Sequence, residues 1–221
     1  MNTETNAAAP SSLRLILTLA IAGLISGIAI IGIYESTLPT ITANKARELR
    51  EAVFKVLPGV SQMQQFVWRG DQLIAAEDLQ KDEEAVYGGY DENGEFVGYA
   101  IPGAGPGFQD TIGLLFGFTP EQQLVLGMEV LESRETPGLG DKIYKDEDFV
   151  GSFSKLSIDP EIVAVKKGTS SRPNEIDAIT GATISSKAVV RIINETRSDW
   201  IQRLPPPGSE PPLRQDAGDG S

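Results

Sequence analysis

The sequence predicts an α+β fold: a single N-terminal transmembrane helix, then one domain with a largely antiparallel sheet and flanking helices. Three observations carry this. Leu15 to Tyr34 holds no ionisable group except the Tyr34 phenol, strand-like segments cluster between Gln65 and Lys167, and helical periodicity bounds that cluster on both sides. Strands grouped in this way, without β and α elements alternating, point to α+β rather than to a parallel α/β sheet. A chain of 221 residues suits one such domain plus appendages, since domains run roughly 100–200 residues.

Residues 1–14 form a tail, and residues 15–34 reach about 30 Å as a helix, the thickness of a bilayer's hydrocarbon core. This run is read as an uncleaved anchor. A signal peptide has a shorter apolar core, about 7–15 residues, and Glu35-Ser36-Thr37-Leu38-Pro39 offers no small-x-small cleavage pattern. Arg14 on one side and Lys45, Arg47 and Arg50 on the other leave the orientation undecided by charge. Gly23, Gly27 and Gly32 give the span a small-residue face, common in membrane helices.

Residues 35–59 are expected to be a linker and an amphipathic helix, with Ala46, Leu49, Val53 and Val56 or Leu57 on one face and a stop at Pro58-Gly59. The domain proper is placed at 60–204. Ala85–Tyr90, the turn Asp91-Glu92-Asn93-Gly94 and Glu95–Ala100 form a hairpin on Asn-Gly. Further strands are expected at 112–118, 122–131 and 161–165, and a helix runs on to about Leu204 with Val189, Ile192, Ile193, Trp200 and Leu204 on its apolar face. The Pro- and Gly-rich stretch 205–221 lacks the apolar content to fold and is expected to be disordered.

Composition restricts the chemistry. Against 31 Asp and Glu stand 19 Lys and Arg, a net charge of -12, so no nucleic-acid surface is expected. The chain has no Cys and no His, which excludes disulfides, thiolate- or imidazole-ligated metal centres and His-dependent nucleophiles. No metal site and no catalytic residue are expected. Redox chemistry, if present, needs an organic cofactor.

Two polar, glycine-bearing turns stand out. Asp177-Ala178-Ile179-Thr180-Gly181-Ala182-Thr183 precedes the last helix and puts Thr183 near its N-terminus, where unpaired N–H groups and the helix dipole favour an anion. A plain helix cap explains the same residues. Glu132 to Ile143 contains Glu135-Thr136-Pro137-Gly138-Leu139-Gly140, and Pro137-Gly138 is a type II turn signal. Together the turns offer backbone donors and close approach to a planar ligand.

The first turn is similar to the Asp-x-x-Ser/Thr-Gly-Ala-Thr motif of FMN-binding domains, and the second resembles the other signature of those domains. With the preceding span and matching length, residues from about 15 to 204 resemble the G-subunit family of the Rnf electron-transport complex. The C subunit of the sodium-pumping NADH:quinone reductase is the near alternative, and a non-redox anchored binding module is the reading from another class. The resemblance implies FMN joined by a phosphoester to Thr183, installed by a magnesium-dependent flavin transferase that recognises Asp177, Thr180, Gly181 and Ala182. It also implies that Glu135, Thr136, Leu139 and Gly140 lie against the flavin, with Leu139 as an apolar contact and Lys142 within reach or merely solvated. Family members often carry a histidine two residues before the motif glutamate. Here that place is Ser133, so a histidine relay is absent. The implied role is an electron relay among other membrane subunits of an ion-translocating complex, at the cell inner membrane, with the domain on the periplasmic side.

Overall fold

The computed structural model describes residues 11–76 and 83–214. The expected N-terminal tail up to residue 10, and residues 215–221 of the expected disordered tail, lie outside that range. The chain divides into two units, Met1–Arg47 and Glu48–Ser221.

In the first unit the described residues are helical from Ser12, and the helix α1 (Ser12–Val56) carries on without the expected linker, with Pro39 inside it. It is long and apolar enough to cross a membrane. Proline removes one hydrogen bond to the carbonyl four residues back, here that of Glu35. The turns around it hold nonetheless, and the Ser36, Thr37 and Thr42 hydroxyls add bonds to carbonyls one turn earlier. Continuity of the helix outweighs the local breaker.

The second unit is organised by an antiparallel sheet of strands β1 (Gln62–Arg69), β2 (Gln72–Ala75), β3 (Ala85–Tyr90), β4 (Phe96–Pro106), β5 (Thr111–Thr119), β6 (Leu124–Glu132) and β7 (Leu156–Ser157). Their order is β2-β1-β3-β4-β5-β6-β7. The β3–β4 hairpin forms where expected: Asp91 accepts from the N–H groups of Asn93 and Glu95, and Gly94 alone takes the left-handed conformation, φ 79°. This is a type I turn closed by a glycine bulge, one of the commoner hairpin connections.

Alternation along β5 sends Ile112, Leu114, Phe116 and Phe118 to one face and Leu115 to the other, as the period of two in a strand requires. Ala52, Val53, Val56 and Leu57, at the end of α1 and just beyond, bury on the Leu115 face. Their approach is close. A Cβ on Gly117 would lie 2.0 Å from the Val56 carbonyl oxygen, so no side chain fits there.

The opposite face carries α4 (Thr183–Trp200), whose Val189, Ile192, Ile193 and Trp200, with Leu204 beyond its end, are buried as expected. Thr196 covers Gly103 and Ile192 covers Gly105, so α4 runs antiparallel to β4. Its N-terminus therefore lies at the end of the sheet where the β4–β5 turn sits, beside the end of β6. Short helices α2 (Lys142–Lys145) and α3 (Glu147–Gly151) follow β6, and strands β8 (Val163–Val165) and β9 (Glu175–Asp177) form a small parallel pair.

The segment 205–214, expected without order, lies on the domain instead. The Tyr90 hydroxyl donates to the Pro211 carbonyl at 2.6 Å, the Arg214 N–H donates to Gln64, and Leu213 packs against the core. Its prolines lose little backbone freedom on docking, which composition alone does not reveal.

Candidate functional site: a groove at the N-terminus of the last helix

Thr183 is the first residue of α4, and the cap position before it is Ala182, so no side chain caps the helix. The expected hydroxyl cap is not formed. Thr183 is exposed, and among the described residues its hydroxyl reaches only the Ile179 carbonyl, at 3.5 Å, longer than an ordinary hydrogen bond. Ser186 ties the turn together instead, accepting from the Ile179 N–H at 3.1 Å and donating to the Ala182 carbonyl at 2.9 Å. The turn itself closes through the Ala182 N–H to the Ile179 carbonyl at 3.0 Å, with Gly181 at φ 84°. That is the type II geometry, which requires glycine in the third place. Thr180 occupies its second place and is exposed.

The second motif also folds as a turn. Gly138 is left-handed at φ 80°, and the Thr136 carbonyl accepts from the Leu139 N–H at 3.1 Å. The two turns meet: a Cβ on Gly181 would sit 3.7 Å from Leu139 Cδ2. Between them opens a groove of about 340 Å³, lined by Phe108, Thr136, Leu139, Gly140, Gly181, Ala182, Thr183, Ile184 and Ser185. Its size is that of a small-molecule cleft, roughly 300–1,000 Å³. Phe108, Leu139 and Ile184 are 63%, 51% and 58% exposed, so three large apolar side chains from three separate segments face solvent around one hydroxyl.

Four of the residues expected at the site, Glu135, Asp177, Thr180 and Lys142, are not part of the groove lining. Glu135 is buried at 5% exposure and faces inward. One carboxylate oxygen accepts from the N–H groups of Phe108 at 2.8 Å and Gln109 at 3.0 Å, and the other accepts from the Ser185 hydroxyl at 2.6 Å. Burial pushes its carboxyl up, but the Ser185 hydroxyl and the N–H groups of Gln109, Phe108 and Asp110 hold it below the ordinary carboxylate range. Gly140 is required beside it, since a Cβ there would lie 2.5 Å from a Glu135 oxygen. Ser133, at the place where a histidine is common, accepts from the Glu135 N–H at 3.2 Å.

Asp177 does not shape its own turn. It accepts from the N–H groups of Gly168, Thr169 and Ser170 at 2.8, 3.2 and 2.9 Å, and chiefly the Gly168 and Ser170 bonds lower its carboxyl below the usual range. Lys142 opens α2 and is not part of the groove lining. Thr136 does line the groove, but its hydroxyl donates to the Gln109 side chain at 2.8 Å.

Phe108, Ile184 and Ser185 are the residues the motifs did not single out. Phe108 had one sequence signal, a large aromatic within the polar, glycine-bearing stretch Pro106-Gly107-Phe108-Gln109-Asp110. The residues present suit a flavin phosphate ester: an unblocked hydroxyl, an uncapped helix N-terminus and apolar walls for a ring system.

Known proteins point the same way. The sequence pattern of the FMN-binding domain matches residues 107–198. Over 147 residues the chain is 37% identical to the G subunit of the Na(+)-translocating ferredoxin:NAD(+) oxidoreductase complex of Acetobacterium woodii, covering 63% of this chain and 68% of that one. The G subunit of the proton-translocating ferredoxin:NAD(+) oxidoreductase complex of Clostridium ljungdahlii is 32% identical, over 80% of this chain and 85% of that one. Among solved structures, NqrC of Shewanella oneidensis superposes with a TM-score of 0.57 at 18% identity, covering 69% of this chain and 91% of that one. That likeness is one of fold. By sequence identity across most of the length of its relatives, the chain belongs to the G-subunit family of ion-translocating oxidoreductase complexes.

Proposed function

We propose that this protein is the membrane-anchored electron-relay subunit of an Rnf-type ion-translocating oxidoreductase complex, carrying FMN as a phosphoester on Thr183. The observation that carries this reading is the exposed Thr183, whose hydroxyl makes one long hydrogen bond, at an uncapped helix N-terminus in a groove walled by Phe108, Leu139 and Ile184. Sequence identity to the G-subunit family supports this type over the quinone-reductase C subunit, which shares the fold.

Thr183 Oγ provides the attachment point. In the maturation step its oxygen bonds to phosphorus of an activated flavin phosphate, the bond to the donor's leaving group breaks, and the hydroxyl proton passes to a base. The chain has no histidine to serve as that base, so a separate flavin transferase with its own metal supplies it. Uncapped N–H groups at the start of α4 favour the ester's negative charge. Leu139, Ile184 and Phe108 hold the ring system, while Thr136, Gly140, Gly181 and Ala182 complete the walls, the glycines permitting close approach. Thr180 and Asp177, outside the lining, belong to the surface the transferase recognises. When bound, FMN supplies reversible electron transfer, which none of this chain's side chains provides. Residues 15–34 of α1 cross the inner membrane once, the domain stands on the periplasmic side, and neighbouring membrane subunits supply and remove electrons.

The test is chain co-expressed with a flavin transferase, denatured and run on a gel. Flavin fluorescence at its mass in wild type, lost in Thr183→Ala, supports the reading; its absence from wild type sinks it. Protease added outside spheroplasts removes the domain if the topology is right.

A further inference from the structure

Glu135 draws its partners from every side of the groove. Phe108 and Gln109 belong to the β4–β5 turn, Ser185 to the first turn of α4, and Glu135 itself precedes Thr136, Leu139 and Gly140. Each of these segments contributes a wall: Phe108, then Leu139 and Gly140, then Thr183 to Ser185. Space around the carboxylate is closed as well, since a Cβ on Gly107 would lie 2.4 Å from one oxygen and a Cβ on Gly140 2.5 Å from the other. A longer or differently branched side chain has no room there.

The bonds to this carboxylate come from neutral groups, a hydroxyl and backbone N–H groups. No ion pair to Glu135 is found among the described residues; the nearby Arg134 faces solvent and pairs with Asp110 at 3.7 Å. Neutral donors stabilise an anion without cancelling its charge. The field of a charge screened by protein reaches several ångströms further than one in water.

We propose that Glu135 is the positioning residue of the flavin groove and that its uncancelled negative charge lowers the reduction potential of the flavin held there. This rests on the proposed function. Two-electron reduction with uptake of one proton leaves the ring system one negative charge richer, and a fixed anion behind the wall opposes that change. The side chain thus acts twice, geometrically through its three donors and electrostatically through its charge.

The experiment is a dithionite redox titration of the flavin in the full-length, detergent-solubilised chain, comparing wild type, Glu135→Gln and Ser185→Ala. Glu135→Gln removes the charge at nearly constant shape and is expected to shift the midpoint potential upward. Ser185→Ala keeps the charge, removes one donor that screens it, and is expected to shift the potential downward. Loosening of the groove alone moves both variants the same way, so a common direction, or no shift in Glu135→Gln, overturns the proposal. Should Glu135→Gln fail to accumulate, the sign for Ser185→Ala decides: downward supports, upward or unchanged overturns. Wild type without bound flavin defeats the functional reading itself, whereas bound flavin with the wrong signs defeats only this inference.

Discussion

Two acidic residues mark the two motifs, and the fold uses them differently. Asp177 accepts three N–H groups from residues 168–170, within ten positions of itself and at the surface. Glu135 also accepts three hydrogen bonds, but from residues 26, 27 and 50 positions away, and it is buried. A local acid orders its own loop; a long-range acid assembles a site. The contrast comes from the sheet, which sets the β4–β5 turn beside the end of β6 and leaves α4 starting above both.

The comparison can be broken by mutation. Largest is Glu135→Ala, which strands the buried Ser185 hydroxyl of α4 and two part-buried N–H groups of the β4–β5 turn. Each unsatisfied buried polar group costs roughly 1–3 kcal/mol, so a drop of at least that size is expected in urea unfolding of the soluble domain, with loss of the proposed flavin ester at Thr183. An unchanged midpoint would show that Glu135 does not assemble the site. Gly140→Ala comes next: its Cβ must displace the Glu135 carboxylate, and overpacking of this kind costs about 1–3 kcal/mol. The same measurement checks it, and Gly138→Ala, where a Cβ meets no atom within 4 Å but φ is 80°, serves as a control for backbone strain alone.

Asp177→Asn is expected to do less. Its partners are exposed, so global stability changes little while amide exchange at residues 168–170 quickens. A fall in stability matching that of Glu135→Ala would erase the distinction between the two acids. Acid bears on both residues alike. Both carboxyls are held below their ordinary values, so each contributes stability that is fully present above the unfolded-state value and is lost as pH falls through the lower folded one. Stability should therefore decline below about pH 4.5, the ordinary carboxylate region. In thermal melts from pH 6 to 3, Glu135→Gln and Asp177→Asn should each flatten this decline. The smallest effect is expected from Thr136→Val, which removes a single exposed hydrogen bond to Gln109 and should leave the urea midpoint almost unchanged, since water replaces an exposed partner.

Much of the fold was legible in advance because its signals are local. Asn93-Gly94 marked the hairpin, and the spacing of Val189, Ile192, Ile193 and Trp200 marked the face of α4. Three features were not. Residues from 35 onward read as a linker, yet the one hydrogen bond missing at Pro39 did not interrupt α1. Leu156–Ser157 and Glu175–Asp177 are too short to show a period of two and form strands only because partners are adjacent. Residues 205–214 look unable to fold, but Tyr90 and Gln64 give the segment a surface to dock on.

The site divides in the same way. The motifs named Thr183, Gly181, Ala182, Thr136, Leu139 and Gly140, all of which line one groove. They also named Glu135, Asp177, Thr180 and Lys142, none of which lines it, because a motif records which residue types recur and not which way they face.

By itself the sequence determined the apolar span, the antiparallel domain, the absence of imidazole and thiol chemistry, and the two turns whose glycines and prolines dictate their own backbone angles. Those properties depend on a residue and its near neighbours. Tertiary structure alone decided that Phe108 joins the site, that Ser186 rather than Thr183 secures the turn, and that Glu135 binds three segments from within. Each of these depends on pairing between strands and on the approach of a helix to a sheet, contacts between residues far apart in the chain that no local pattern encodes.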